Sequence, residues 1–230
     1  MPDNVSTLQL LLTADPALLA IVRLSLVVSL SAVAFSALIG VPFGAAVALT
    51  RFAGRNAVIV ILNALMGLPP VVVGLVVYLL LSRSGPLGAW DLLFTPQAMV
   101  IAQTVLIAPI IAALARQTIE DLAGEYRDEL AAMDVGPFGR IATLIWDGRF
   151  SLVTALLAGF GRAAAEVGAV MIVGGNIDGF TRTMTTAIAL ETSKGDLSLA
   201  IGLGLVLIAI VVVVNAGAWG LRRAGERWAG

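Results

Sequence analysis

Between two membrane-length apolar runs lies Glu129-Leu130-Ala131-Ala132-Met133-Asp134-Val135-Gly136, a polar stretch of helix formers that closes on a glycine. Its chemistry is mechanical. Glu129 supplies charge, Ala131 and Ala132 are small enough for another surface to approach closely, and Gly136 lets the chain turn sharply into a following helix. The stretch reads as a rigid helical lever or as a solvated amphipathic loop packed on its own bundle. A second candidate is Arg162 with Glu166, four residues apart and so on one helical face of an apolar run where isolated charge is costly. The two compensate one another and lock the span to its neighbours, or Arg162 meets a passing anion. The third is Gly67-Leu68-Pro69-Pro70, midway between Arg55 and Arg83. Proline there breaks the helical ladder, so a half-helix from about Val71 would begin in mid-membrane with its positive dipole end open to a dehydrated anion. A hinge is the alternative reading, and Pro42, flanked by Gly40 and Gly44, and Pro109 are similar break points.

The elements that position these residues follow from composition. Of 230 residues, 59% are hydrophobic and 13% charged, with 15 acids against 14 bases, and the mean hydropathy is +1.00. That is an all-α integral membrane protein with no residues left over for a second domain, so residues 1–230 form one transmembrane unit. Apolar segments cover about Ala17–Thr50, Ala57–Leu81, Gln97–Ala115, Leu152–Val173 and Leu197–Leu221, which makes five spans. The lead before Ala17 holds Asp3 and Asp15 but no base, lacks the positive region of a signal peptide, and is expected to stay as an extracytoplasmic segment.

Orientation follows from the bases. Arg51, Arg55, Arg116, Arg127, Arg140, Arg149, Arg222, Arg223 and Arg227 fall on one side, against Arg83, Arg182 and Lys194 on the other. The arginine-rich side stays in the cytoplasm, so the N-terminus is outside and the C-terminus inside. Trp90 and Phe94 at the outer end, and Trp219 and Trp228 at the inner end, sit where aromatic belts form. The longest inner connection, about 116–150, carries seven acids against four arginines and is patterned as two short helices around Gly136-Pro137-Phe138-Gly139. On the outside, Gly174 to Asp196 holds Gly175, Asn176, Thr181, Arg182 and Thr185 before a Met184–Leu190 run too short to span. It is a gate or floor that dips back into the bundle, or an ordinary ordered loop.

The Glu129 to Gly136 stretch resembles the docking loop of ABC importer permeases, in which an acid and two alanines precede a glycine by a fixed interval. Two departures are visible: Leu130 separates Glu129 from the alanines, and Trp146-Asp147-Gly148-Arg149 stands where that family closes on Ile-x-Leu-Pro. Gly161-Arg162-Ala163-Ala164-Ala165-Glu166-Val167-Gly168-Ala169, followed by Met171 to Ile177, resembles the fourth span of permeases for molybdate, sulfate and tungstate. Thr181 to Asp196 is similar to the tungstate branch in particular. The resemblance implies a type I importer permease of a bacterial or archaeal cytoplasmic membrane, carrying an oxyanion by alternating access, with tungstate ahead of molybdate and sulfate. Glu129, Ala131, Ala132 and Gly136 would then meet an ATPase subunit, while the outer loops would face an extracytoplasmic binding protein.

The remaining chemistry is narrowed by what the sequence lacks. There is no cysteine or histidine, so thiolate and imidazole metal sites and the commonest general base are excluded. The single lysine, Lys194, is not preceded by a glycine-rich phosphate loop, so the chain is not itself an ATPase, and ATP with Mg2+ is expected in a partner. Five sparsely polar spans make a thin pathway alone, and a symmetric dimer would build one at its shared interface. The expected assembly is therefore a homodimer with two ATP-binding subunits and one binding protein, with no nucleic acid. The rival from another class is a passive anion channel, or a membrane scaffold without a motor.

Overall fold

The computed structural model describes residues 16–132 and 136–229. The expected outer lead, with Asp3 and Asp15, and Met133-Asp134-Val135 of the inner loop lie outside the described residues, as do the side chains of Ala131, Arg222, Arg227 and Trp228. The described residues are helical throughout, apart from turns. They form α1 (Pro16–Leu49), α2 (Arg55–Leu65), α3 (Pro70–Leu81), a 3-10 turn at Gly88–Trp90, α4 (Pro96–Glu125), α5 (Arg127–Ala132), α6 (Pro137–Asp147), α7 (Arg149–Ala164), α8 (Gly168–Gly174), α9 (Met184–Lys194) and α10 (Leu197–Ala229).

Three of these, α1, α4 and α10, are long and apolar enough to cross a membrane alone, and the number rises to five if each of two bent pairs is one span. One pair is α2 with α3, bent by 101°; the other is α6 with α7, bent by 74°. The chain is thus a multi-pass membrane protein. Burial separates the roles of the three long helices: the apolar window of α4 is 56% buried, against 17% in α1 and in α10. α4 is the post around which the others stand. Leu30, Phe35, Leu38 and Ile39 of α1, and Ile201, Leu205, Ile208 and Val212 of α10, point outward, as apolar residues do when the solvent is hydrocarbon.

Hydrocarbon offers no hydrophobic force between apolar helices, so close packing must hold them together. The largest helix contact, α1 on α4, is made by a row of small residues: Ser25, Ser29, Ala32, Ser36, Gly40 and Gly44 all face inward. A Cβ added at Gly40 would lie 3.0 Å from the Ala108 carbonyl oxygen, and one at Gly44 only 2.4 Å from that of Ala112. The backbones touch there. The Ser36 hydroxyl donates across the seam to the Thr104 carbonyl at 3.3 Å.

Several expectations need correction. Pro42 and Pro109 do not interrupt their helices, which run on through both positions along the packed seam. α4 does not end near Ala115 but continues to Glu125, so the inner connection begins with an extension of the central helix, followed by α5 and α6. The expected fourth span, Leu152–Val173, is broken at Ala165-Glu166-Val167 into α7 and the seven-residue α8. Glu166 therefore lies past the end of α7 rather than on the same helical face as Arg162. The break at Gly67-Leu68-Pro69-Pro70 is where the sequence puts it. Its backbone is tied by the Val72 and Val73 N–H groups, which both donate to the Pro69 carbonyl at 3.1 and 3.2 Å.

Gly44→Ala places a methyl group against a backbone oxygen that cannot rotate away, so it should destabilise the protein by about 2 kcal/mol or more. Gly204→Ala on α10, where an added Cβ meets nothing within 4 Å, should be neutral or mildly stabilising. Thermal unfolding of the two variants in detergent checks this; equal midpoints would overturn the seam as a packing constraint.

Candidate functional site

The two helix breaks meet inside the bundle. α3 packs along α8, with Gly74 so close that an added Cβ would lie 2.8 Å from the Ala169 Cα, and a Cβ at Gly168 would lie 3.0 Å from the Val71 side chain. The starts of both half-helices, at Pro70 and Gly168, thus lie side by side. Between them is Glu166, whose side chain is 2% exposed. Its carboxylate accepts from Arg162 Nη1 at 2.5 Å and from the Ala169 N–H at 3.0 Å, capping the positive end of α8. Arg162, 30% exposed, keeps its guanidinium part-way to the surface.

Glu166 also anchors α9 through its backbone. Its carbonyl accepts from the Thr185 hydroxyl at 2.8 Å. Thr183 caps α9 in a reciprocal arrangement with Thr186, and the Met184 N–H donates to the Ser25 hydroxyl of α1 at 2.8 Å. The first turn of α9 is buried and its last turn exposed, so the outer segment enters the bundle end-on. A void of about 20 Å³, room for one water, lies there among Ser25, Ser29, Gln103, Thr183 and Thr185. Gln103, 3% exposed, donates to the Ala163 carbonyl at 3.1 Å, while its Oε1 has no partner in the described residues. Hydroxyls and an amide are groups that hold an anion without fixed positive charge, but the α8 start is already capped by the Glu166 carboxylate, which puts negative charge in their midst.

The outer residues divide by role. Gly175 ends α8 in the left-handed conformation at φ 73°, which favours glycine. Thr181 is fully buried, donates to the Gly174 carbonyl at 2.6 Å and accepts from the Ile177 N–H at 2.9 Å, so it fixes the turn. Asn176 reaches the Thr186 carbonyl at 3.5 Å. Arg182 pairs with Asp178 at 2.9 Å and, with Arg23, lines an outer cavity of about 390 Å³.

On the arginine-rich side Glu129, Ala132 and Gly136 are exposed, whereas Leu130 is buried with Ile119 and Leu144. The chain turns at Gly136 with φ −63° and ψ 164°, extended geometry that any residue adopts, so the expected backbone reason for glycine fails. Nor does packing within the described residues require glycine, because a Cβ there meets nothing within 4 Å. Two residues beside it were not singled out from the sequence: Phe138 is 86% exposed and Trp146 67% exposed. Their signal is an aromatic near each end of an amphipathic helix, Pro137–Asp147. Arg149 stacks on Trp146 and Phe150 at 4.7 and 4.6 Å from the ring centroids. Gln103, a lone amide in an apolar run, was likewise legible and passed over.

No family model matches the sequence. Among curated proteins, the chain is 46% identical to a probable anion ABC transporter permease protein of Haloferax volcanii over 186 residues, 78% of this chain and 80% of that one. It is 39% identical to the tungstate uptake system permease protein TupB of Peptoclostridium acidaminophilum over 191 residues, covering 83% and 84%. With the protein of the same name from Campylobacter jejuni it shares 41% identity over 138 residues, covering 60% and 58%.

Glu166→Ala strips Arg162 and the α8 amides of their acceptor and should cost about 3 kcal/mol, the usual penalty for leaving one partner of a buried pair uncompensated. Adding Arg162→Ala should recover part of that loss. A double-mutant cycle on thermal unfolding in detergent reads the coupling; strictly additive losses would mean that the pair carries no stabilising interaction.

Proposed function

The chain belongs to the permease subunits of ABC transporters for oxyanions, and from that premise we propose that it carries tungstate inward across the cytoplasmic membrane of a bacterium or archaeon. The observation that carries the substrate is the 39% identity to a tungstate uptake permease over 84% of that protein. Two copies form the pathway between them, with two ATP-binding subunits on the inner face and a substrate-loaded binding protein on the outer. The N-terminus lies outside, the C-terminus inside, and residues 1–230 act as one permease domain. ATP and Mg2+ belong to the partner, and this chain converts its motion.

The route for that motion runs through described contacts. The 116–150 segment meets the ATPase through its Glu129 to Gly136 stretch, with Glu129, Ala131, Ala132 and Gly136 as the contact residues; among its described side chains Glu129, Ala132, Phe138 and Trp146 are exposed. α6 joins α7 at Gly148 through a 74° bend, and a Cβ at Gly148 would lie 2.9 Å from the Leu122 side chain of α4. A push on α6 is therefore delivered to α7 against a fixed post. α7 ends at the Arg162–Glu166 pair, where Pro69, Pro70 and the first turn of α9 converge, so its displacement moves the inner wall and the outer plug together. Closure of the ATPase pair draws two such segments together and opens the pathway outward; hydrolysis returns it inward. Gly67, Pro69 and Pro70 serve as hinge and as one wall of the anion path, and Arg182 with Asn176 lies at its outer mouth.

Uptake into vesicles holding this chain, its ATPase and the loaded binding protein tests the reading. Tungstate accumulation that needs both ATP and the binding protein is the expected result. Equal competition by sulfate or molybdate would move the substrate to that anion, and uptake without ATP would make the chain a passive anion channel. Gly136→Val should leave the fold and basal ATP hydrolysis intact while lowering coupled uptake by about tenfold, a loss of roughly 1.4 kcal/mol in a docking contact. Full coupled uptake by that variant would overturn the docking role.

A further inference from the structure

On the arginine-rich side, the ends of α1 and α2, the extension of α4 and the short α5 enclose a cleft of about 360 Å³. Arg51, Arg55, Arg127 and Arg140 line it, against Glu120 as the one acidic lining residue among the described residues. Glu120 is already committed: it accepts from Arg55 at 2.9 Å and also from Arg116. Arg55 is held as well, its Nε donating to the Val47 carbonyl at 2.9 Å at the end of α1. The network cancels Glu120 and leaves the cleft with an excess of positive charge from Arg51 and Arg127, both exposed. Asp128 and Glu129 are nearby in sequence but do not line it.

The floor is bare. Gly124 contributes backbone alone, and a Cβ built there meets nothing within 4 Å, so the space above it is open to a ligand. Guanidinium groups around an open floor select tetrahedral oxyanions, whose paired oxygens match the planar fork. The place fits as well, because the cleft sits on the arginine-rich side where α1 ends and α2 begins, and basic pockets at the ends of spans are where anionic lipid headgroups are held.

We propose that this cleft binds a tetrahedral oxyanion group, supplied either by the phosphate of an anionic phospholipid or by a free oxyanion in the cytoplasm. Its chemistry is independent of which anion crosses the membrane. A ligand there bridges the α1–α2 turn to α5, at the root of the 116–150 segment, and so biases the position from which that segment moves.

The test uses the full chain in nanodiscs of phosphatidylcholine, with or without phosphatidylglycerol. Native mass spectrometry counts retained phosphatidylglycerol, and titration calorimetry in phosphatidylcholine discs reads binding of sodium tungstate and of inorganic phosphate. The variants are Arg51→Gln with Arg127→Gln, and separately Gly124→Leu, which adds bulk at the cleft lining without removing a charge and whose Cβ meets nothing within 4 Å. Phosphatidylglycerol retention that falls in both variants establishes the lipid source. Saturable anion binding in lipid-neutral discs, weakened about tenfold or more in both, establishes the free anion, as expected for the loss of charge-assisted contacts. Binding that is absent, or unchanged in both variants, overturns the site.

Discussion

Everything else in this fold rests on two backbones touching. In hydrocarbon, apolar side chains gain nothing by leaving lipid for one another, so cohesion must come from fit. Gly40 and Gly44 let α1 lie directly on the carbonyls of Ala108 and Ala112 in α4. The resulting two-helix spine is rigid enough to carry prolines in both helices without interruption. The broken elements α3, α7 and α8 all lean on α4, and α9 is pinned to α1 through Ser25. Strength is concentrated in the spine, and freedom in the pieces around it.

The second constraint is that a helix broken inside a membrane must find partners for its open ends. At α8 the partner is internal, since Glu166 accepts from Ala169 while Arg162 balances its charge. One residue thereby does three tasks: its carboxylate is cap and counter-ion, and its backbone carbonyl is the seat of Thr185. This explains how a short helix of seven residues persists at such a depth. It also sets the electrostatics that an anion would meet: neutral donors on several sides, with a negative charge already compensated by an arginine. Passage without tight retention suits such a surroundings, because a site that held a dianion firmly would not release it.

The sequence was legible where hydrocarbon dictates it. Composition and arginine placement mark the apolar segments, and the Gly-Leu-Pro-Pro run marks the break between α2 and α3, because proline removes a donor and collides with the preceding turn. The second break was hidden, since Ala165-Glu166-Val167 contains no proline or glycine and reads as continuous helix. The break is marked instead by tertiary bonds, the Glu166 carbonyl accepting from Thr185 of α9 and its carboxylate from the start of α8. The length of α4 was hidden for a related reason: Arg116 and Glu120 look like the end of a span, yet they pair with each other, Glu120 also accepts from Arg55, and the helix runs on past them. At Gly136 the residue was noticed for the wrong reason. Glycine suggested a sharp turn, whereas the backbone there is ordinary and a Cβ would meet nothing within 4 Å.

The spine joins two helices that are not neighbours in the chain, and α2 and α3 are synthesised between them. α1 therefore leaves the ribosome before the surface it fits has been made. Its row of serines and glycines, buried in the finished protein, must first face lipid or the interior of the insertion machinery, with hydroxyls folded back on the helix as Ser25 is onto the Ile21 carbonyl. Birth order thus selects for small, self-satisfying residues on that face: a larger polar group would stall in transit, and a larger apolar one would be content in lipid and never seek α4.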